Sequence, residues 1–374
     1  MPTAFVGAAV FDGTVLHRDA VLLTDGPWVT GVSSCVPKGT TVVSLAGGIL
    51  APGLIDLQVN GGGGRMVDDQ TDVETLRVIC ETHARLGTTG LLPTLITATP
   101  QATARVIAAG VASLSTPGFL GLHLEGPHLD PRRKGAHDAA LIRSMTDEDL
   151  AVLTDAASRL PALMVTLAPS AVRPDQIAEL AAAGVIVSLG HTECSFDQAE
   201  AAIAAGACCA THLFNAMSGL GHREPGLVGA VLTHDIAAGV IADTIHVAPA
   251  ALRIAATVRQ TGLFLVSDCM AVAGTDQEQA TLGGRSILRR NGRLTLQDGT
   301  LAGADLTLPQ AIANMVNRVG LSPERALSMA TRCPAQVIGR EDLGQLTPGT
   351  RADIVHLSEA FQLQAVWQGG QRRL

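Results

Sequence analysis

Eight short apolar runs separated by alanine-rich stretches constrain this chain more than any other feature. The runs are "LIDLQVN", "TGLLPTL", "FLGLHLEG", "LMVTLAP", "VIVSLGH", "CCATHLFN", "AAGVIAD" and "LFLVSD". Parallel strands buried on both faces read as near-continuous hydrophobic segments of this kind. Most of the intervening stretches, such as "PDQIAELAAAG" and "FDQAEAAIAAG", have helical character. Strand and helix in alternation build a parallel sheet. Eight such units fit a (β/α)8 barrel of the TIM type. A doubly wound open sheet is the other architecture the alternation allows. The 374 residues, 47% hydrophobic and 16% charged, suffice for a large core and argue against disorder.

The two ends of the chain read differently. "AAVFDGTVLHRDAVLLTDGPWVTGV" and "LGQLTPGTRADIVHLSEAFQLQAVWQGGQRR" carry short β-type runs, broken in the first by Asp-Gly and Gly-Pro turns. Residues 1–50 and 336–374 are therefore expected to form one small β-sandwich domain, flanking a catalytic barrel over 51–335. The segment 274–303 reads as a β-hairpin inserted after the eighth strand. No fixed-period repeat or low-complexity tail is present.

The charge balance narrows the partners. The net charge of -8, from 26 basic and 34 acidic residues, argues against nucleic acid or an anionic membrane. It leaves room for a small anionic substrate met by one or two local cations. No run reaches the ~18 apolar residues of a membrane span, and the start "MPTAFVGAAVFDGTV" has no basic segment of a secretory signal. The seven cysteines, at 35, 80, 194, 208, 209, 269 and 333, are odd in number and include no C-x-x-C. A disulfide framework is thus poorly supported, and a reducing cytoplasm is the expected setting. Tyrosine is absent and aromatics make up 2% of the chain, so stacking on bases or sugars is not a major theme.

Polar residues gather at the strand ends. The first run ends in Gln58 and Asn60, the third in His123 and Glu125, the fifth in His191. The sixth reaches His212 and Asn215, the seventh Asp243 with His246 just after, and the eighth Asp268. In a barrel these ends ring one mouth, where active sites sit. A lone strand-end histidine is more often structural than a ligand, but Glu125, His191, His212 and Asp268 at one mouth form a set. Two histidines and a carboxylate are a common open ligand set for catalytic Zn2+, and Asp268 is then free to act as general base and acid; by itself it would read as a helix cap or loop anchor.

Other features are weaker. Gln58 and Asn60, two apart on a strand, share a face and are followed by four glycines. "VNGGGG" lacks the Gly-Lys-Ser/Thr ending of a phosphate loop. Its glycines fit close backbone packing near the site better. Arg223 in "HREPG" has the planar fork for phosphate or carboxylate, although spacing alone favours a solvated surface residue slightly. The "RRK" run at 132–134 reads as a solvated loop.

Taken in order, "APGLIDLQVNGGGG", "GLHLEGPHLDPRRKGAHD", "SLGHTECSFDQAEAAIAAG", "ATHLFNAMSGLGHREPGLVGA", "GVIADTIHV" and "LVSDCMAVAGT" resemble the N-acetylglucosamine-6-phosphate deacetylase family of the amidohydrolase superfamily. The resemblance covers nearly the whole chain, including the split β domain. It implies that Glu125, His191 and His212 hold one divalent metal, most simply Zn2+, with Fe2+, Mn2+ or Co2+ as alternatives. It implies Asp268 as the acid/base and His137 as the group that polarises the acetyl carbonyl. It places Ala136, Asn215, Ala216 and the stretch Ala302-Gly303-Ala304 against substrate, with Arg223 and His246 near the sugar phosphate. It further implies a homodimer in which a phosphate contact comes from the neighbouring subunit. Many amidohydrolases carry His-x-His at the end of strand one for a second metal; here Gln58 and Asn60 stand there. Neutral amides are poor ligands for a Zn2+-like ion, so one metal is expected rather than two. The chain departs from the family at His128, where an aromatic is common, at Ala304, where serine is common, and at Thr244, where glycine is usual.

The expected reaction is metal-dependent hydrolysis of the acetamide of N-acetyl-D-glucosamine 6-phosphate, giving D-glucosamine 6-phosphate and acetate. The galactosamine or mannosamine epimers, another amidohydrolase reaction such as deamination or ring-amide hydrolysis, and a non-catalytic sugar-phosphate sensor remain as alternatives. A sensor has no need of a general base, so Asp268 speaks against the last.

Overall fold

The computed structural model describes residues 2–374. Its central sheet has eight parallel strands in sequential order. They are β1 (Leu54–Val59), β2 (Thr88–Ile96), β3 (Leu122–Glu125), β4 (Leu163–Leu167), β5 (Ile186–Leu189), β6 (Cys209–Ala210), β7 (Ala237–Val240) and β8 (Leu263–Leu265). Each falls within one of the apolar runs, except that β2 extends one residue beyond each end of its run. The sequential order has no switch point, which removes the doubly wound alternative.

The barrel closes between its last and first strands by an unusual seam. Near the C-terminal ends, Asp268 N donates to Gln58 O at 3.0 Å and Asn60 N donates to Cys269 O at 3.0 Å. Lower down, the segment Met329–Ala330 fills the gap: Leu265 N donates to Met329 O at 2.7 Å and Ile55 N to Ala330 O at 2.9 Å. The fully buried carboxylate of Asp56 spans the seam, accepting from Ser267 N at 3.1 and 3.2 Å and from Gln58 N at 3.1 Å. The backbone N–H groups of Ile55, Gln58, Asn60, Leu265, Ser267 and Asp268 thus find partners at the junction, as burial demands.

Helices alternate with the strands around the outside, among them α1 (Val73–Arg85), α2 (Pro100–Ala112), α3 (Asp147–Arg159), α4 (Pro174–Ala182) and α5 (Phe196–Ala204). The sequence starts them with capping side chains: Asp72, Thr99, Thr146 and Ser195 each accept from the third helical N–H of α1, α2, α3 and α5. Such caps typically contribute about 1 kcal/mol each.

The chain ends form two sheets. Pro2–Val6, Val21–Asp25, Trp28–Ser33 and Thr41–Ser44 make one. In the other, N-terminal Ile49–Pro52 pairs antiparallel with C-terminal Ile354–Leu357, which in turn pairs with Leu363–Gln368. The layers share a core that includes Phe5, Leu22, Leu50 and Trp367, with the Phe5 and Trp367 rings edge to face at 5.0 Å. The segment read as a hairpin is larger than expected. It forms a four-stranded antiparallel sheet of Gln279–Leu282, Arg285–Arg290, Arg293–Thr295 and Leu301–Ala304, with an apolar core around Ile287 and Leu294. Its last strand returns to the barrel mouth, where Ala304 N donates to Asp268 O at 2.8 Å.

Gly48 sits where the two chain ends meet, at φ +79°, and a Cβ there would lie 2.1 Å from the Leu357 carbonyl oxygen. Gly48→Ala is therefore expected to lower stability by about 1–3 kcal/mol or more, read as a lower midpoint of urea unfolding; an unchanged midpoint would refute this account of the junction.

Candidate active site

The strand ends bring Glu125, His191 and His212 together, with one donor atom from each lying within 4.8 Å of the others. His191 Nδ1 lies 2.8 Å from the Arg133 carbonyl oxygen. A carbonyl only accepts, so Nδ1 carries the proton and Nε2 presents a lone pair. That Nε2 is 3.0 Å from His212 Nε2, and both nitrogens lie 3.0–3.2 Å from Glu125 Oε1. His191 Nε2, His212 Nε2 and Glu125 Oε1 thus converge in a buried space. A single proton cannot satisfy all three, whereas a divalent cation with nitrogen and oxygen preferences can. The donor set therefore fits a metal.

The electrostatics follow from burial and crowding. Burial alone would raise the Glu125 pKa, but the two imidazoles outweigh it and hold the carboxyl well below its usual range. Burial depresses His212, yet its bond to Glu125 and that charge raise it on balance. Asp268, buried and facing the charge of Glu125, is pushed up to about 6. His137 is held well below the ordinary imidazole value, first by burial and then by His191. It is therefore neutral, and its tautomer is set. Thr97 N donates to His137 Nδ1 at 3.3 Å, with Thr97 Oγ1 at 2.8 Å. Nδ1 is thus an acceptor and Nε2 carries the proton, 4.0 Å from Glu125 Oε2.

Backbone strain concentrates here. His191, His212, Phe214, Ala216, Thr244 and Asp268 all have positive φ, between 32° and 79°. They stand just past β5, β6, β7 and β8. Non-glycine residues held this way cost of order 1–3 kcal/mol each and persist where the surroundings over-determine them. Four of the six, His191, His212, Ala216 and Asp268, line one cavity.

A cavity of about 400 Å3 opens above the cluster. Of the expected residues, Asn60, Glu125, Ala136, His137, His191, His212, Asn215, Ala216, His246, Asp268 and Gly303 line it. His246 is backed by Asp243, whose Oδ2 is 2.6 Å from its Nδ1. Ala302 and Ala304 do not line it: side chains alternate along a strand, so only Gly303 of that trio turns inward, while Ala302 joins the insert core. Arg223 also lies elsewhere, on an exposed loop and not on this chain's own cavity wall.

Arg132 and Arg133, read from sequence as a solvated loop, do line the cavity. The reason is Asp130. It caps the short 3-10 helix Pro131–Arg133 and binds the Arg132 guanidinium at 2.6–3.2 Å, while Arg133 pairs with Glu193. The loop is folded over the β5 end, where Asp130 N donates to His191 O at 2.9 Å. His128 is buried away from the cavity, its Nδ1 3.2 Å from the Arg143 carbonyl, so it fills a structural place. Sequence reasoning missed the apolar wall of Ile96, Met270, Leu282 and Leu301 and the role of Thr97. The threonine's position one residue past β2 was the available signal.

A profile of the Amidohydrolase family matches residues 49–373. The chain belongs to the amidohydrolase family. Within it, N-acetylgalactosamine-6-phosphate deacetylase of Shewanella sp. (strain ANA-3) is 37% identical over 98% of this chain and 94% of the relative. N-acetylglucosamine-6-phosphate deacetylase of Haemophilus influenzae is 34% identical over 97% of each. The crystal structure of N-acetylglucosamine-6-phosphate deacetylase from Pasteurella multocida superposes with a TM-score of 0.95 at 33% identity, covering 100% of this chain and 99% of that one. The amidohydrolase barrel and the split β domain are thus shared along the whole chain.

The convergent donors make a simple expectation. A divalent cation at about 100 times its dissociation constant should stabilise the chain by about 2.7 kcal/mol, seen as a rise in melting temperature. Glu125→Gln should abolish that rise. A rise that persists in the variant would place cation binding somewhere else.

Proposed function

We propose that this amidohydrolase removes the acetyl group of N-acetyl-D-glucosamine 6-phosphate, releasing acetate and D-glucosamine 6-phosphate, in amino-sugar catabolism or cell-wall sugar recycling in the cytoplasm. The observation that carries the reading is the convergence of Glu125, His191, His212, Asp268 and His137 at one cavity. Near-full-length likeness to deacetylases of two amino-sugar 6-phosphates supports it. All seven cysteines are free, in keeping with a reducing compartment.

Glu125, His191 and His212 would hold one divalent ion, in our reading Zn2+, although Fe2+, Mn2+ and Co2+ accept the same donors. When bound, such an ion supplies Lewis acidity that makes water nucleophilic near neutral pH and polarises the amide carbonyl. Asp268 accepts the proton of the attacking water as its oxygen bonds to the acetyl carbon. His137 donates its Nε2–H to the carbonyl oxygen as negative charge develops there, a large catalytic term in acyl transfer. Asp268 then returns the proton to the departing nitrogen as the C–N bond breaks. Ala136, Asn215, Ala216 and Gly303 shape the sugar site.

The phosphate needs a cation. The arginines on the cavity wall, Arg132 and Arg133, are already paired with Asp130 and Glu193. We assign the phosphate to His246 and to Arg223 reaching in from the neighbouring subunit of a homodimer; a fully active monomer in sedimentation would overturn that assignment. The small β domain, over 1–50 and 336–374, frames the catalytic barrel over 51–335 in this reading.

A second reading, with the galactosamine epimer as substrate, is favoured by the 37% identity to the Shewanella enzyme, against 34% to the Haemophilus one. Acetate release should be measured on both phosphorylated epimers and on unphosphorylated N-acetylglucosamine, with and without chelator. Chelator-sensitive release with the highest kcat/KM on the glucosamine ester is expected. A preference for the galactosamine ester would install the second reading, and no release from any of them by metal-loaded protein would remove both. Asp268→Asn should keep its metal and lose at least about 100-fold in kcat, the range of general acid–base catalysis; near-normal turnover would end the role given to Asp268.

A further inference from the structure

The amides at the end of β1 are engaged in a way that their poverty as metal ligands does not explain. Asn60 Nδ2 donates to Asp268 Oδ1 at 2.8 Å, and Gln58 Nε2 donates to the same oxygen at 3.1 Å. Gln58 Nε2 also reaches Glu125 Oε1 at 3.3 Å. An ionised carboxylate oxygen only accepts, so both amides must turn their NH2 ends toward it. Gln58, Asn60, Glu125 and Asp268 are all buried. Asn60 tolerates this at a cost: its own Oδ1 is buried without a partner among the described residues, on a side chain that lines the cavity. A buried acceptor left unsatisfied costs about 1–3 kcal/mol, and a residue kept for packing alone would not require one.

Two consequences follow from this pattern. Both donors act on Oδ1, and no described residue places a donor on Oδ2. The carboxylate is therefore held by one oxygen and free at the other. In addition, Glu125 and Asp268 are like charges in a buried site, and the Gln58 NH2 group bridges them.

We propose that Gln58 and Asn60 are positioning residues for Asp268. Their N–H groups fix Oδ1, bridge Asp268 to Glu125 and leave Oδ2 as the oxygen that takes the proton of the attacking water. Two neutral amides thereby perform the orienting task that a second cation bound at the end of the first strand would perform. The unpartnered Asn60 oxygen is satisfied by a donor of the cavity's occupant, an N–H or O–H. The inference rests on the deacetylase reading.

The test uses the metal-loaded enzyme and the variants Gln58→Met, Asn60→Leu and the double variant, with wild type in parallel. Metal per chain is read by elemental analysis, and the Co2+-substituted forms by their visible absorption. Each single variant is expected to keep one metal and an unchanged Co2+ spectrum. Its KM should stay within about threefold while kcat falls by about 10- to 100-fold, the usual cost of losing a group that orients a reacting one. Because both amides serve one oxygen, the double variant should lose much less than the product of the single losses. Kcat within about threefold of wild type in both single variants would overturn the proposal. So would a loss that tracks loss of metal, or fully multiplicative losses. If Asn60→Leu fails to fold, Asn60→Ala removes the same donor without added bulk and is judged by the same criteria. Absence of turnover by wild type is a separate result, which removes the deacetylase reading itself.

Discussion

A carboxylate buried from water must be met by positive charge or by donors, and Glu125 sets that requirement for this molecule. Its oxygens face His191, His212, His137 and the Gln58 amide. Meeting it draws β1, β3, β5 and β6 to a common point at their C-terminal ends. It accounts for the left-handed backbone at His191 and His212, which no local preference would choose. It also accounts for the loop over 130–137, since the Arg133 carbonyl fixes the His191 ring and His137 closes the other side. The backbone strain is concentrated at one mouth, above a barrel interior that is largely apolar.

Beneath the cluster lies a second polar layer. The His123 ring lies 3.0 Å from Leu57 O through Nδ1 and 2.7 Å from Thr166 Oγ1 through Nε2, and the chain continues through Thr211 to Ser188. The carbonyl fixes every proton in turn: Nδ1–H donates, so Nε2 accepts from Thr166, Thr211 donates to Thr166, and Ser188 to Thr211. Burial pushes the His123 pKa down to about 4, so the ring is neutral, as this order requires. The layer ties five strands together just below the reacting groups.

Much of the architecture was legible in the sequence because buried strands announce themselves as apolar runs, and all eight did. The candidate metal ligands were legible only as a set, since Glu125, His191 and His212 fall at the ends of three such runs. What stayed hidden depended on three-dimensional closure. Arg132 and Arg133 looked solvated because nothing in "RRK" reveals that Asp130 folds the loop back over β5. Ala302 and Ala304 were grouped with Gly303 by the resemblance, and the alternation along Leu301–Ala304 that turns only Gly303 to the cavity shows once the strand is formed. Arg223 stands on an exposed loop away from the cavity, the placement its spacing alone slightly favoured.

The insert between β8 and the following helix has a bearing on how such an enzyme diversifies. Leu282, Thr300, Leu301 and Gly303 belong to it and form one wall of the cavity, whereas the metal-ligand candidates and Asp268 stand at the barrel strand ends. The insert's apolar core, around Ile287 and Leu294, is shared with Met270 and Val272 just past β8. The chain therefore keeps its reactive groups and part of its ligand-facing wall on different elements, joined where Ala304 N donates to Asp268 O. Mutation of the insert side chains facing the cavity can reshape that wall without replacing any of the buried charges below it.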